Sequence, residues 1–305
     1  MDQPTISVVL TTYNRGHLLP RAVASVINST YPAFDLIIVD DASDDGTAEY
    51  ARQLTDPRVR YLRLSENGGV LRARNRGLDA CTGEYVTTLD DDDELEPDAL
   101  ATVVREFSRD DRSAVDVLWF DCVDAESGQM SGSMTVADGP IRFDDYLCGR
   151  IAGDFWLTFR RPAIARYRFD ERFKAHESLL WLRIHRSHRA WHVPKVLCRK
   201  YRRHGGPRLS DTDVRMNDLA RETMALAEFE REFGKEMAET CPTAYGGKLA
   251  YLGLHQLATG ETKAGRASIR RSLRHRSSLK YLLLYCASFF LSAGSLAWLI
   301  ARREA

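Results

Sequence analysis

No charge of either sign predominates in this chain. Of its 305 residues 43 are Lys or Arg and 43 are Asp or Glu, so the formal net charge is zero. A protein built to grip nucleic-acid phosphates normally carries a basic excess, so no nucleic-acid partner is expected. Cysteine is sparse. The six residues Cys81, Cys122, Cys148, Cys198, Cys241 and Cys286 include no Cys-x-x-Cys pair, a spacing that suits neither a zinc site nor a disulfide framework. Reduced, cytoplasmic chemistry is the expectation. The opening MDQPTISVVL has no basic stretch leading into an apolar run, so no signal peptide is expected. Gly68-Gly69 lacks the Gly-x-Gly-x-x-Gly spacing of a dinucleotide site, and no internal repeat emerges.

Long apolar runs are missing too, with one exception. From Tyr281 to Ala301 no residue is charged, and about 20 apolar residues can span a bilayer. Ser288, Ser292, Gly294 and Ser295 dilute the segment, however. A transmembrane span and an interfacial or buried helical hairpin both stay open. The flanking Arg270, Arg271, Arg274, Arg276, Arg302 and Arg303 would suit an anionic membrane surface.

What is present is an alternation of strand and helix signals over the first hundred residues. Ile6–Thr12 reads as a strand buried on both faces, and Leu36–Val39, Val59–Leu64 and Tyr85–Leu89 as further strands. Helical spacing falls between them, in Leu18–Ile27, from Thr47, in Leu71–Ala80 and in Ala99–Phe107, whose start Pro97 favours. The alternation predicts an α/β fold with a mainly parallel central sheet flanked by helices. Signals are mixed from Val115 to Tyr201, with Glu177–His188 helical. From Val214 only helical periodicity remains. A boundary near residue 212 is expected, in the turn-rich stretch Pro207–Asp213. That gives a domain over 1–212, divided into halves 1–108 and 109–212, and a helical extension over 213–305.

Ligands of parallel sheets bind beyond the carboxyl ends of the strands, and two acidic groups fall there. Asp90-Asp91-Asp92-Asp93 follows one strand, and Asp40-Asp41 ends another. Adjacent carboxylates repel unless a cation compensates, and Mn²⁺ or Mg²⁺ takes carboxylate oxygen while bridging to substrate phosphates. The bland readings are a solvated loop capping the Pro97 helix and an Asx turn with an N-cap at Ser43 or Asp44. Acidic strand ends also occur in phosphoacceptor signalling domains, which are about half this length.

The ordered set SVVLTTYNR, LIIVDDASDDGT, ENGGVLRARNRGL and GEYVTTLDDDDELEP resembles the family-2 glycosyltransferases with a GT-A fold, over roughly residues 5–210. The resemblance implies metal-dependent transfer, with inversion, from a nucleotide-sugar to a saccharide or lipid-linked acceptor in surface polysaccharide or glycoconjugate synthesis. It implies that Thr11 and Tyr13 line the base, usually uracil, and that Asp41 accepts a hydrogen bond from it. Arg74 would lie near the diphosphate and donor sugar. Asp92 would be the primary ligand of Mn²⁺ or Mg²⁺ and Asp90 a supporting one. Asp91 would substitute if the register shifts by one, and Asp93 would only shape the turn. The segment FDERFKAHESLLWLR matches the family's Glu-Asp stretch but reads Glu177-Ser178, without the aspartate that usually serves as base. Glu177 is the expected replacement, with His176 a second candidate. The missing aspartate also leaves open a degenerate protein that binds without turning over. YRRHGGPRLS resembles the Tyr-Arg-x-His segment and offers His204 to the metal or diphosphate, with Arg202, Arg203 and Arg208 near the phosphates. No Gln-x-x-Arg-Trp occurs, as in non-processive members. Trp119, Trp156, Trp181 and Trp191 read as core residues, with Trp156 or Trp181 as an alternative platform for an acceptor sugar. The implied location is cytoplasmic, including the inner face of the membrane, with peripheral contact through the C-terminal segment.

Overall fold

The structure, a computed structural model, describes residues 3–134, 137–173, 176–202, 218–276, 278–290 and 293–295. The chain divides into two compact units. One comprises Met1–Tyr146, Arg150–Glu171 and Glu177–Gly205, and the other Leu147–Gly149, Arg172–His176 and Gly206–Ala305.

The first unit is built on a sheet. β1 (Ile6–Thr12) is buried at every position, as a continuous apolar run covered on both faces must be. It pairs in parallel with β2 (Phe34–Asp40) and β4 (Tyr85–Asp90), and β3 (Val59–Arg63) extends the sheet from β2. β10 (Phe155–Arg160) runs antiparallel between β4 and β6 (Val117–Asp124). β11 (Ala190–Lys200) lies parallel to β6, with β5 (Asp93–Leu95) and β8 (Gly139–Ile141) antiparallel to it. β7 (Gly132–Ser133) and β9 (Ala152–Gly153) form a separate ribbon. The expectation of a mainly parallel GT-A-type sheet holds. Because β4 and β6 are both antiparallel to β10, they point the same way, and their carboxyl ends share one edge with those of β1 and β2.

Helices α1 (Leu19–Ile27), α2 (Thr47–Gln53), α3 (Val70–Ala80) and α4 (Ala99–Phe107) follow the early strands. α1 buries Leu19, Ala22, Val23 and Val26, a stripe at helical spacing that packs into the main apolar cluster with Val8, Leu10, Leu36 and Ile38. α3 sits close on the sheet. A Cβ at Gly77 would meet Val9 Cγ1 at 2.1 Å, so any larger residue would push the helix away. Arg74, three residues earlier on the same face, is thereby held at the strand ends. α5 (Phe143–Leu147), α6 (Arg161–Ile164) and α7 (Glu177–Ser187) complete this part of the chain. Trp156 is 4% exposed, with its indole N–H given to Thr88 O at 3.3 Å, and Trp181 stacks on Phe159. Trp156 is thus a core residue, while Trp181 is half-buried between Phe159 and Phe169.

The second unit contains α8 (Leu219–Thr240), α9 (Pro242–Ala258), α10 (Thr262–His275) and α11 (Leu279–Ala287). Here the cysteine expectation fails. Cys148 and Cys241 form a disulfide with Cα atoms 6.0 Å apart, although 93 residues separate them in sequence. Such a pairing is set by tertiary structure and leaves no spacing signal. Among the described residues no helix is long and apolar enough to cross a membrane.

Candidate active site

Two loops shape the sheet edge after β1 and β2. Asn14 and Ala42 both have positive φ, 52° and 65°, a region costly for residues other than glycine unless the surroundings enforce it. The surroundings do so by stitching the loops together. Asn14 N donates to Ser43 Oγ at 2.9 Å, Asp44 N to Asn14 Oδ1 at 2.8 Å, and Gly16 N to Asp45 Oδ2 at 2.7 Å. Tyr13 stands on this paired rim, 45% exposed. Thr11 is buried and in register with both Val39 and Asp90.

Asp41 is 2% exposed and accepts from Asn67 Nδ2 at 2.9 Å, Gly68 N at 2.9 Å and Gly69 N at 2.7 Å. A carboxylate has about four acceptor positions, so one is left for a ligand. These bonds pin the loop that leads into α3, whose cap Gly69 has φ +88°.

The four consecutive aspartates divide by role. Ligand oxygens of Asp90, Asp92 and Asp93 lie within 4.8 Å of one another, a hard-oxygen donor set that fits Mn²⁺ or Mg²⁺. Asp93, read from the sequence as a turn residue, therefore stands with the candidate ligands. Asp91 faces Arg15, whose Nη1 lies 3.1 Å from Asp91 Oδ1 and 3.1 Å from Asp92 Oδ2. Lys200 Nζ reaches Asp93 Oδ2 at 2.5 Å and Asp90 Oδ2 at 3.9 Å. Arg74 ion-pairs with both Asp90 and Glu177. The sequence alone asks for a compensating cation, with Mn²⁺ or Mg²⁺ as the candidate and a solvated loop as the bland reading. Three side-chain cations already share that task, and two of them, Arg15 and Lys200, were missed. Arg15 closes the quoted SVVLTTYNR motif, while Lys200 ends an unremarkable extended strand that only β5 pairing brings to Asp93.

Burial sets the electrostatics. It works to raise the Asp90 carboxyl, but the charges of Arg74 and Lys200 outweigh it and bring Asp90 down to about 2. Burial prevails at Asp91, pushed up to about 6 against Arg15, and at Asp93, pushed up to about 7 against Lys200. Burial also opposes the Lys200 ammonium, yet Asp93 holds it above the ordinary lysine range.

Glu177 is the first residue of α7, with its side chain 36% exposed beside Arg74. His176, the second base candidate, gives its Nε2 to Glu222 at 2.8 Å within the second unit. His204, Arg203 and Arg208 lie outside the described residues. Arg202 pairs with Asp154 at 2.9 Å. The structure thus gathers Thr11, Arg74, Asp90, Asp91, Asp92 and Glu177 along one strand edge, with Asp41 at the neighbouring strand end.

Comparison with known proteins gives this geometry a context. The family described as glycosyl transferase family 2 matches residues 7–169. A Campylobacter jejuni protein named GalNAc(5)-diNAcBac-PP-undecaprenol beta-1,3-glucosyltransferase is 30% identical over 206 residues, covering 63% of this chain and 65% of that protein. The chain thus spans about two-thirds of that relative. Two solved structures are similar in fold. One is Staphylococcus aureus TarS 1–349 in complex with UDP-GlcNAc, with TM-score 0.63, 16% identity, and coverage of 93% of this chain and 91% of that one. The other is the mannosyltransferase PcManGT of Pyrobaculum calidifontis with GDP-Man and Mn²⁺, with TM-score 0.57, 21% identity, and coverage of 99% and 86%.

Proposed function

We propose that this chain, which belongs to glycosyl transferase family 2, is a metal-dependent inverting glycosyltransferase that moves a sugar from a UDP-sugar to a saccharide or lipid-linked acceptor. The arrangement around Arg74 carries the reading: one buried guanidinium joins a candidate metal ligand, Asp90, to a candidate base, Glu177. The oxygen donors Asp92, Asp90 and Asp93 suit Mn²⁺ or Mg²⁺, and such an ion supplies positive charge where the departing nucleoside diphosphate gains negative charge. The protein's own residues do the rest. Tyr13, Thr11 and the remaining acceptor position of Asp41 receive the nucleoside. His204 belongs to the diphosphate side in this reading. Glu177 takes the proton of the acceptor hydroxyl as its oxygen bonds to the anomeric carbon and the bond from that carbon to the phosphate oxygen breaks. Arg74 fixes the Glu177 carboxylate in place for that transfer. A lipid-linked acceptor is supported by the name of the Campylobacter relative, and Mn²⁺ by the PcManGT complex.

Cytoplasmic placement at the inner face of a membrane belongs to the same reading, and in that reducing compartment Cys148 and Cys241 would stand as adjacent thiols that pair on oxidation. Leu279, Leu283 and Phe290 are 72%, 60% and 88% exposed. They share a stretch between Glu261 and Glu304 that contains no carboxylate but includes Arg270, Arg274, Arg276 and Lys280. Apolar side chains flanked by cations complement an anionic lipid surface.

The test is calorimetric titration with UDP, GDP, CDP and dTDP, with and without Mn²⁺, followed by hydrolysis of the matching nucleotide-sugar. Metal-dependent binding of UDP, and hydrolysis that disappears in Glu177→Gln, are the expected results. Binding of none of the four would sink the reading, and unchanged hydrolysis in that variant would remove Glu177 from the base role.

A further inference from the structure

Past Asp124 the chain reverses over a cavity of about 390 Å³ that the transfer described above leaves unused. Gly128, at φ +70°, makes the reversal. Asp124 Oδ1 accepts from Ser127 N and Oγ, each at 2.8 Å, and Asp124 N donates to Gln129 O at 2.8 Å. Met130 bridges back to Val123. Arg202 closes the opposite wall, with Nη2 2.9 Å from Asp154 Oδ2 and Nε 3.8 Å from Asp124 Oδ2. The volume falls within the range of roughly 300–1,000 Å³ usual for small-molecule sites.

Two features point to a ligand. The first is the lining itself, since Asp124, Gln129 and Arg202 bring hydrogen-bond donors and acceptors together around one opening. The cavity's position is the second feature. In the sheet Lys200 is in register with Asp124 on one side and with Asp93 on the other. Two strand spacings put Asp124 about 10 Å from Asp93, on the edge where the strands carrying Asp90 and Asp124 both end. A sugar ring seated beyond Asp124 would lie beside the reacting centre, not upon it.

The chemistry of the walls narrows the occupant. Gln129 offers amide donors and an acceptor, Asp124 an acceptor and Arg202 donors, which suits neighbouring sugar hydroxyls. Met130, 50% exposed, gives an adaptable apolar surface for the C–H face of a ring. Among the described lining residues Asp124 and Glu126 outnumber Arg202, so an anionic ring meets repulsion. We infer that this cavity is an acceptor subsite for an uncharged sugar residue and selects against uronates and phosphorylated sugars. The inference rests on the glycosyltransferase reading.

Saturation-transfer NMR on the full chain tests it, with methyl β-glucopyranoside, methyl N-acetyl-β-glucosaminide and methyl β-glucuronide as probes. At least one neutral glycoside should bind, with the glucuronide at least fivefold weaker. Gln129→Ala and Met130→Ser, both at exposed positions, should each weaken the neutral glycoside at least threefold, while UDP binding with Mn²⁺ stays unchanged. Nucleotide binding with neutral-glycoside binding indifferent to both variants would overturn this assignment alone. So would a glucuronide that binds as well as the neutral probes, or no glycoside binding at all. Failure of the wild-type chain to bind any nucleotide would instead overturn the transferase reading beneath it.

Discussion

The guanidinium of Arg74 is ion-paired with the Glu177 carboxylate, joining the middle of α3 to the first turn of α7. The two residues stand 103 positions apart in sequence, and Arg74 is 5% exposed. A buried cation with two carboxylate partners cannot be removed without leaving those carboxylates facing each other.

The consequence for mutation is a separation of effects. Arg74→Ala should lower stability by about 2 kcal/mol, the low end of the range for breaking such a pair because both carboxylates are over one-third exposed. It should also cut kcat at least 100-fold. Glu177→Gln keeps the side chain's shape and should shift stability by less than about 1 kcal/mol, while kcat falls by roughly 10²–10⁴ as a general base is lost. Thermal unfolding and steady-state kinetics on both variants check this. A Glu177→Gln protein as unstable as Arg74→Ala would point to a structural role for the pair.

His185 predicts a pH response independent of the site. It is buried in α7, where its Nε2 accepts from Trp119 Nε1–H at 2.7 Å and its Nδ1–H donates to Trp181 O at 2.6 Å. Indole can only donate, so the ring is neutral, and burial pulls it down to about 4 from 6.5. A depressed histidine stabilises the fold above its unfolded value. That contribution, about 3 kcal/mol, should be lost as pH falls from about 6.5 to about 4. Denaturant unfolding across this interval should show the slope in the wild type and a flatter one in His185→Leu, whatever that variant's overall stability.

The Cys148–Cys241 disulfide closes a long loop, which in the chain-entropy treatment contributes about 4.7 kcal/mol. A non-reducing peptide map should yield this cross-link, and Cys148→Ser should lower the unfolding midpoint by several degrees. A map with both thiols free after aerobic purification would contradict the pairing.

The exposed Leu279, Leu283 and Phe290 predict binding to vesicles. Sedimentation with phosphatidylglycerol vesicles should carry down the full chain and not a chain ending before Lys280. Phosphatidylcholine vesicles should carry down little of either, and 0.5 M salt should weaken the binding by screening the cations. Equal behaviour of the two chains would remove the membrane from the proposed function.

The strands and helices of the first hundred residues were legible because each buries a continuous or periodic apolar pattern, as β1 and α1 show. The family was legible because its motifs fall at successive strand ends. What escaped was non-local. Lys200 reaches Asp93 only because β11 pairs with β5, a three-residue strand inside an acidic run that has no strand signal of its own. Cys148 and Cys241 meet through tertiary packing. Asp41 looked like an open acceptor, yet three donors from Asn67–Gly69 occupy most of its capacity, a matter of loop geometry that sequence spacing does not encode. His204 lies outside the described residues, so its role rests on the motif alone.

The central claim is that Asp92, with Asp90 and Asp93, holds a divalent cation that brings the nucleotide diphosphate to this edge. Electron paramagnetic resonance of Mn²⁺ titrated into the protein with saturating UDP measures it directly. One tightly held Mn²⁺ per chain is predicted in the wild type, weakened at least tenfold in Asp92→Asn. An Asp92→Asn protein that holds Mn²⁺ as well as the wild type, or a wild type that holds none in the presence of UDP, would contradict it.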